Sequence, residues 1–195
     1  MTAAAKTRRK GAENSETRAQ LIHSAIVILR DEGAAAVTAR RLAEQVGLRR
    51  HIVHYYFGTI DELFVAIMRE EGARAEAALR EATETGDAFD LLWQNARQAA
   101  SIILELTMLA ARHPSIAREY RIYTERYRQT MAEILESYAR TRGITLPVAP
   151  AATALLLQSV AYTIAIEKDL DLTLGHEQAE KMLMGWLKLG SPMVD

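Results

Sequence analysis

Cationic and aromatic side chains near residue 50 are the part of the sequence best suited to binding chemistry. Five of them lie outside the apolar pattern around them, at Arg49, Arg50, His51, His54 and Tyr55. An arginine donates paired hydrogen bonds to a phosphate or a guanine edge, and a histidine or tyrosine adds single ones. These side chains indicate a surface for double-stranded DNA, whereas the plainer alternative is an exposed charged helix in an ordinary bundle.

The same residues give little support to metal or enzyme chemistry. His51 and His54 are three residues apart and could seat a metal, but no third ligand is apparent nearby. The chain has no cysteine, and no glycine-rich phosphate loop, carboxylate pair or Ser-His-Asp spacing is recognisable. We therefore expect no catalytic residue, metal or cofactor, although a triad scattered along the sequence would escape notice.

Two short helices must position the cationic residues. Gly47 is the pivot of a tight turn, and the small side chain of Ala43 lets the two helices cross closely. The wedge between them is filled by Leu42, Val46, Leu48, Val53 and Tyr56. A preceding helix from Asn14 or Ser15 to Asp31 closes the core, so the segment is predicted to be a helix-turn-helix with its second helix in the major groove.

The start of the first of these short helices is predicted to hold phosphate. Thr38 has the pattern of an N-cap, with Val37 and Leu42 as the flanking hydrophobic staple. Its backbone N–H, with Arg40 and Arg41, would clamp a phosphate at the helix N-terminus. Thr59 to Glu62 forms a capping box that opens a long helix reaching about Thr83.

Residues 15–65 resemble the N-terminal DNA-binding domain of the TetR family of transcriptional regulators. The resemblance rests on LAEQVGL (42–48), YYF (55–57) and TIDEL (59–63), behind a first helix that ends in DEGAAAVT (31–38). It implies an all-α homodimer with a variable C-terminal ligand-binding and dimerisation domain. Most members are repressors that a small molecule releases from DNA.

The resemblance assigns roles to residues of this chain. Thr38 and Arg40 match positions that contact the DNA backbone, and His54 matches one that touches phosphate, with Tyr55 after it. Base-reading positions are matched by Arg49, Arg50, His51 and Ile52. Three residues depart from the family pattern: Arg49 replaces a small hydroxyl cap, His54 replaces a tyrosine, and Ile60 stands where a lysine is common.

Charge is unevenly distributed along the chain. Residues 1–57 hold ten basic and five acidic side chains, a net +5, and the remaining 14 basic and 20 acidic side chains leave a net −6. A basic head on an acidic body suits a polyanion partner, with a chance fluctuation as the alternative. Residues 1–13 are predicted to be a basic flexible arm that reaches DNA, or else a solvated tail.

The rest of the chain is predicted to be helical as well. Long helices are expected at about 87–112, with a break possible near Ser101, and at 115–142, 150–169 and 176–189. The predicted fold class is therefore all-α, with a three-helix helix-turn-helix domain over 14–58. The larger C-terminal bundle, over 59–195, is expected to bind the ligand and to dimerise.

Apolar stripes in the last two helices predict the dimer seam. Its residues are expected at Ala154, Leu157, Ala161, Ala165, Met182, Leu183 and Trp186. Packing within one subunit is the alternative. The uncharged stretch 144–166 is too short a helix after Pro150 to favour a membrane span, so no membrane partner is expected.

Polar groups within the apolar bundle predict the site of a small-molecule effector of unknown identity. The candidates are Glu105, Met108, Tyr123, Tyr127, Gln158 and Tyr162. Tyrosines that reach the surface and a buried, hydrogen-bonded glutamine are the alternative interpretation. Glu105 is preferred because a carboxylate among Ile103, Leu104 and Leu106 needs a partner.

The 195 residues, 49% of them apolar, are enough for one ordinary core, and a cytoplasmic protein is expected because no secretory signal is recognisable. Together with the helix-turn-helix, the resemblance implies a transcriptional regulator, expected to be a repressor of a palindromic operator. An all-α small-molecule-binding protein or enzyme without regulatory DNA binding is the alternative. A third possibility is a nucleoid-type protein that binds DNA without sequence preference.

Overall fold

The computed structural model describes residues 16–85, 88–168 and 170–189, so the predicted arm at 1–13 lies outside the described residues. Over these ranges every regular element is a helix, and the all-α prediction is confirmed. The helices are α1 (Glu16–Glu32), α2 (Ala39–Val46), α3 (Arg50–Phe57), α4 (Ile60–Thr85), α5 (Ala88–Ala110), α6 (Pro114–Arg142), α7 (Pro150–Lys168) and α8 (His176–Leu189), with a 3-10 turn at Ala34–Ala36 between α1 and α2.

Local signals in the sequence set the boundaries of α2. Thr38 is extended and its Oγ1 accepts a hydrogen bond from the Arg41 N–H at 3.1 Å, which makes it the N-cap. Gly47 ends the helix in the left-handed conformation with φ 69°. Because an L side chain is strained at that φ, glycine is the residue that lets the chain turn directly into α3.

The residue contacts divide the chain into two units. The first contains the chain as far as Glu71 together with 104–121, and the second contains 72–103 and the chain from Ile122 onward. The predicted domain boundary at residue 58 falls inside the first unit, whose contacts group the start of α4 with the helix-turn-helix. The boundary of the functional domains therefore remains a prediction.

A three-helix core lies in the first unit. Helix α1 packs on α2, and α2 packs on α3. Side chains from these helices and from α4 are fully buried, among them Leu21, Ile22, Leu42, Val53, Leu63 and Ile67. Burying such apolar surface is the main stabilising contribution, and it leaves the polar faces of α2 and α3 outside.

Helices α4 to α8 supply the core of the second unit. Its buried members include Leu79, Trp93, Tyr127, Met131, Leu135, Leu157 and Leu183. Helix α5 is continuous through Ser101, where the sequence had suggested a possible break. In the described part of the chain, no helix combines the length and apolar character needed to span a membrane.

Candidate nucleic-acid interface

The first turn of α3 presents an exposed cationic surface. Arg49, Arg50 and His51 are exposed, whereas Ile52 is half-buried. Arg49 is the N-cap of the helix, and its side chain makes no capping hydrogen bond. A cation at the positive end of a helix dipole costs about 0.3–1 kcal/mol. This placement is therefore not explained by helix stability, but it suits contact with an anion.

Farther along α3, polar groups continue the same exposed surface. Tyr55 is 56% exposed, and its ring packs edge-on against Tyr56 with the centroids 5.2 Å apart. His54 is exposed and its Nδ1 lies 3.3 Å from the Gly58 carbonyl oxygen. When Nδ1 carries the proton and donates to that carbonyl, Nε2 remains for a second partner. The opposite face of α3 is anchored by buried Val53 and Phe57.

The predicted phosphate clamp at α2 is formed only in part. The Thr38 N–H already donates to the Ala36 carbonyl at 2.8 Å, so this amide is occupied. The side chain of Arg40 is 82% exposed, with its Nε 3.8 Å from Glu44. Arg40 therefore keeps its guanidinium available for an external anion.

Arg41 is held within the protein. Its guanidinium donates to Glu32, with Nη2 2.6 Å from Oε1, and to the Gln45 side chain at 2.8 Å. The hydrogen bonds between Arg41 and Glu32 raise the pKa of Arg41 and lower the pKa of Glu32. The arrangement ties α1 to α2, and it favours Arg40 over Arg41 as the phosphate contact.

The helix-turn-helix is also connected to α4 and to the corner between α5 and α6. Arg18 Nη1 lies 2.9 Å from Glu70 Oε1, and the Arg18 guanidinium stacks over the Phe57 ring. Asp61 accepts a hydrogen bond from Ser115 Oγ at 2.8 Å. Arg69 makes two hydrogen bonds to Glu119, at 2.9 and 2.7 Å. Sequence reasoning missed these connections because their partners are about fifty residues apart.

A groove of about 540 Å³ opens within the first unit. Its walls include Tyr55, Arg18, Arg69 and Asp61. The two arginines and the aspartate already bind protein groups, so they leave little uncompensated charge for a ligand. None of the six predicted effector residues lines this groove.

The six predicted effector residues divide between the units. Glu105 and Met108 belong to the first, where Glu105 Oε2 accepts a hydrogen bond from the Ala34 N–H at 3.1 Å and Met108 is half-exposed. The second unit contains Tyr123, Tyr127, Gln158 and Tyr162. The structure thus gives Glu105 a partner inside the protein.

Aromatic side chains dominate the predicted effector residues of the second unit. The Tyr123 and Tyr127 rings are stacked with centroids 6.1 Å apart. Tyr127 and Gln158 are buried, and burial raises the pKa of Tyr127 to about 12. The buried indole N–H of Trp93, which sequence reasoning missed, finds no hydrogen-bond acceptor among the described residues. Such a group is available to a ligand.

The predicted dimer residues also divide into two sets. Ala154, Leu157, Ala161 and Leu183 are buried in the core of their own subunit, so they have no surface left for a partner. The remaining three keep some exposure, with Ala165 and Trp186 half-buried and Met182 half-exposed. On α7 the exposed large apolar side chains are Leu155 and Leu156, directly beside the predicted positions.

Comparison with known protein families places the match on the helix-turn-helix. Residues 21–67 match the family described as "Bacterial regulatory proteins, tetR family". A curated relative, the HTH-type transcriptional regulator BetI of Brucella melitensis, is 28% identical over 130 residues, which cover 61% of this chain and 66% of the relative. BetI of Brucella abortus is 27% identical over the same coverage. The match thus spans a little less than two thirds of these relatives.

Solved structures show the same fold over nearly the whole chain. A transcriptional regulator from Rhodococcus sp. Rha1 superposes with a TM-score of 0.68 at 21% identity, covering 91% of this chain and 99% of that one. A Saccharomonospora viridis regulator in complex with choline superposes with a TM-score of 0.69 at 18% identity, covering 90% of this chain and 97% of that one. FadR from Bacillus subtilis in complex with stearoyl-CoA superposes with a TM-score of 0.65 at 13% identity, covering 87% of this chain and 97% of that one.

Proposed function

We propose that this chain is a member of the tetR family of bacterial regulatory proteins, whose model matches residues 21–67, and that it is a dimeric, cytoplasmic transcriptional repressor that a small molecule releases from DNA. The observation that carries the proposal is the exposed cationic start of α3, formed by Arg49, Arg50 and His51 on a rigid three-helix core. Its geometry suits insertion into the major groove, which is about 12 Å wide. No catalytic role is assigned to these residues.

The proposed DNA contacts are made by the polar side chains that are exposed on α2 and α3. Arg50 and His51 read base edges, since they lie in the first turn of α3 and are exposed. Arg40, Thr38 and His54 contact the phosphate backbone beside them. Phosphate contacts fix the position of the protein on the duplex, whereas base contacts select the sequence.

Dimerisation uses the exposed sides of α7 and α8. Leu155, Leu156 and Met182 are large apolar side chains that each expose more than a third of their surface in the single chain. Two such helices from each subunit would form a four-helix seam with two-fold symmetry. The proposed seam therefore consists of these three exposed side chains, which neighbour the buried positions that the sequence predicts. Ala165 and Trp186 lie at its edge.

The effector binds among the aromatic residues of the second unit. Tyr123, Tyr127, Tyr162 and the orphaned indole N–H of Trp93 supply ring faces and a hydrogen-bond donor. The polar residues buried as a whole among those described are Thr130, Thr153 and Gln158, and the Nε atom of Arg128 is buried as well. The faces of tyrosine and tryptophan rings attract an organic cation by cation–π attraction. Choline, present in the Saccharomonospora viridis relative, is thus the first probe, with stearoyl-CoA as the comparison.

Release from DNA is a shift between two arrangements of the dimer. Both α3 helices must lie about 34–36 Å apart to enter successive major grooves. An effector that binds better to a state with another spacing lowers the DNA-bound population. Helix α4 transmits the movement, because its residues belong to both units.

Selection from random duplexes tests this function. We expect the chain to enrich a near-palindrome with half-sites about ten base pairs apart, and to bind it at least about 1,000-fold more tightly than random duplex at physiological salt. Binding of random and selected duplexes with equal affinity would favour a protein that coats DNA. Absence of binding to any duplex would favour a small-molecule-binding protein or an enzyme.

A further inference from the structure

The Glu105 carboxylate caps a turn that has no cap of its own. The 3-10 turn Ala34–Ala36 begins after Gly33, which has no side chain and so makes no capping hydrogen bond. The first N–H groups of a helical turn have no partner within the turn. One of them, the Ala34 N–H, donates instead to Glu105 Oε2 at 3.1 Å, from a helix 71 residues away in sequence.

The geometry around Gly33 fits this carboxylate closely. Gly33 has φ 81°, and a Cβ built there would lie 3.4 Å from Glu105 Oε1. The second oxygen of the same carboxylate thus passes directly over the glycine while the first accepts the hydrogen bond. A side chain at residue 33 would be strained by the backbone and would crowd the carboxylate.

Both ends of this contact are attached to elements that matter for DNA binding. The turn leads through Val37 directly into Thr38, the N-cap of α2, so its position sets where α2 and then α3 begin. On the other side, Ile102, Ile103 and Leu106 surround Glu105 in sequence and are buried. They anchor this part of α5, whose earlier residues belong to the second unit.

We propose that Glu105 is a positioning residue for DNA recognition, which holds the α1–α2 turn against α5 and thereby sets the orientation of the helix-turn-helix, as a unit, relative to α5. The hydrogen bond forms in the DNA-binding state, and a shift of α5 caused by the effector breaks it. This inference rests on the function proposed above. It assigns Glu105 to the link between helix α5 and the recognition helix, in place of direct contact with the effector.

Two substitutions at residue 105 separate the hydrogen bond from the charge. Glu105→Ala removes the acceptor, whereas Glu105→Gln keeps an oxygen that can accept from Ala34. Glu125→Ala is the matched control, because Glu125 is an exposed carboxylate on α6. Thermal unfolding of all three variants shows that each is folded before binding is measured.

The first readout is amide hydrogen exchange at Ala34 in the free full-length protein. A hydrogen bond to a charged acceptor lowers the equilibrium constant for local opening by a factor of about 10 or more. We therefore expect the Ala34 amide to exchange about ten-fold faster in Glu105→Ala. Glu105→Gln and Glu125→Ala should stay close to the wild-type rate. An unchanged Ala34 rate in Glu105→Ala would overturn the inference without touching the proposed function.

The second readout compares the selected palindrome with a duplex that contains one half-site. A half-site engages one helix-turn-helix, so it is insensitive to how the two recognition helices are oriented relative to each other. We expect Glu105→Ala to bind the palindrome about ten-fold more weakly and the half-site unchanged, with Glu105→Gln close to wild type. Equal loss on both duplexes, or no loss on either, would contradict a positioning role. A wild-type protein that prefers no palindrome would instead contradict the proposed function.

Discussion

Arg41 and Glu32 form a forked ion pair that joins α2 to the end of α1, with Arg41 Nε 3.2 and 3.1 Å from the two carboxylate oxygens and Nη2 2.6 Å from Oε1. Arg40, the adjacent residue, approaches an acidic group only at 3.8 Å. Two neighbouring arginines at the start of the same helix thus differ in their contacts. Arg41 is bound to groups of its own chain, whereas the guanidinium of Arg40 is exposed.

Arg40 and Arg41 should therefore differ in the salt dependence of DNA binding. Arg40→Ala is expected to reduce the slope of log K against log salt concentration by about 0.9, the value for one lost phosphate contact. Arg41→Ala is expected to leave that slope unchanged. Measuring the affinity for the selected duplex across a salt series checks this, and a larger change for Arg41 than for Arg40 would contradict it.

Arg50 should contribute to sequence choice as well as to affinity. Replacing it with alanine is expected to cost about 1–3 kcal/mol on the selected duplex and to relax the preference at one position of each half-site. Arg30→Ala is the control, because Arg30 is exposed on α1, outside the proposed DNA face. Competition binding with single-base variants of the duplex is the measurement. Uniform weakening on every variant would show that Arg50 contacts only phosphate.

Gly47 and Gly143 offer a matched pair of backbone positions. Both have left-handed φ values, 69° and 65°, and a Cβ at either would meet nothing within 4 Å. Alanine at either residue should therefore destabilise the fold by about 1–2 kcal/mol through backbone strain alone. Only Gly47→Ala should also weaken DNA binding, since Gly47 joins α2 to α3. Denaturant unfolding and duplex binding of both variants test this, and equal DNA affinities would contradict it.

Tyr127 should make stability depend on pH in the alkaline range. Its pKa is raised to about 12 in the folded protein, so the folded state keeps a proton that the unfolded state releases near pH 10. The stabilisation from the buried neutral phenol is complete below pH 10 and is lost as pH rises toward 12. At 1.36 kcal/mol per unit, the loss is about 3 kcal/mol.

Tyr127→Phe removes this contribution and tests its source. The difference in unfolding free energy between pH 9 and pH 11.5 should be smaller in Tyr127→Phe than in the wild type. Tyr138→Phe, at a half-buried tyrosine of the same helix, should behave like the wild type. If the unfolding free energy of Tyr127→Phe falls between pH 9 and pH 11.5 as much as that of the wild type, another group causes the loss.

Local features of this fold could be predicted from the sequence. Thr38, Gly47 and the Thr59 capping box were identified because caps and turns depend on residues within one helical turn of each other. The predicted start of α8 at His176 agrees with the structure, and α6 and α7 agree within one residue at each end. The cationic face of α3 was found in the same way, since it is what remains after the apolar positions are assigned.

Features that depend on contacts between distant residues could not be predicted. The partner of Glu105 is a backbone amide 71 positions away, and the sequence shows only a carboxylate among apolar residues. Likewise, an apolar stripe does not reveal whether it faces its own core or another subunit. The apolar stripe predicts Ala154, Leu157 and Ala161 in a dimer seam, but they lie in the core of their own chain.

Interference by methylated bases tests most directly whether α3 reads the major groove. Guanine N7 lies in the major groove and adenine N3 in the minor groove, so methylation of each blocks one groove separately. We predict that N7 methylation at a few guanines in each half-site of the selected duplex prevents binding, and that the effect at one of them disappears in Arg50→Ala. Binding that is blocked only by N3 methylation, or by neither modification, would contradict the account.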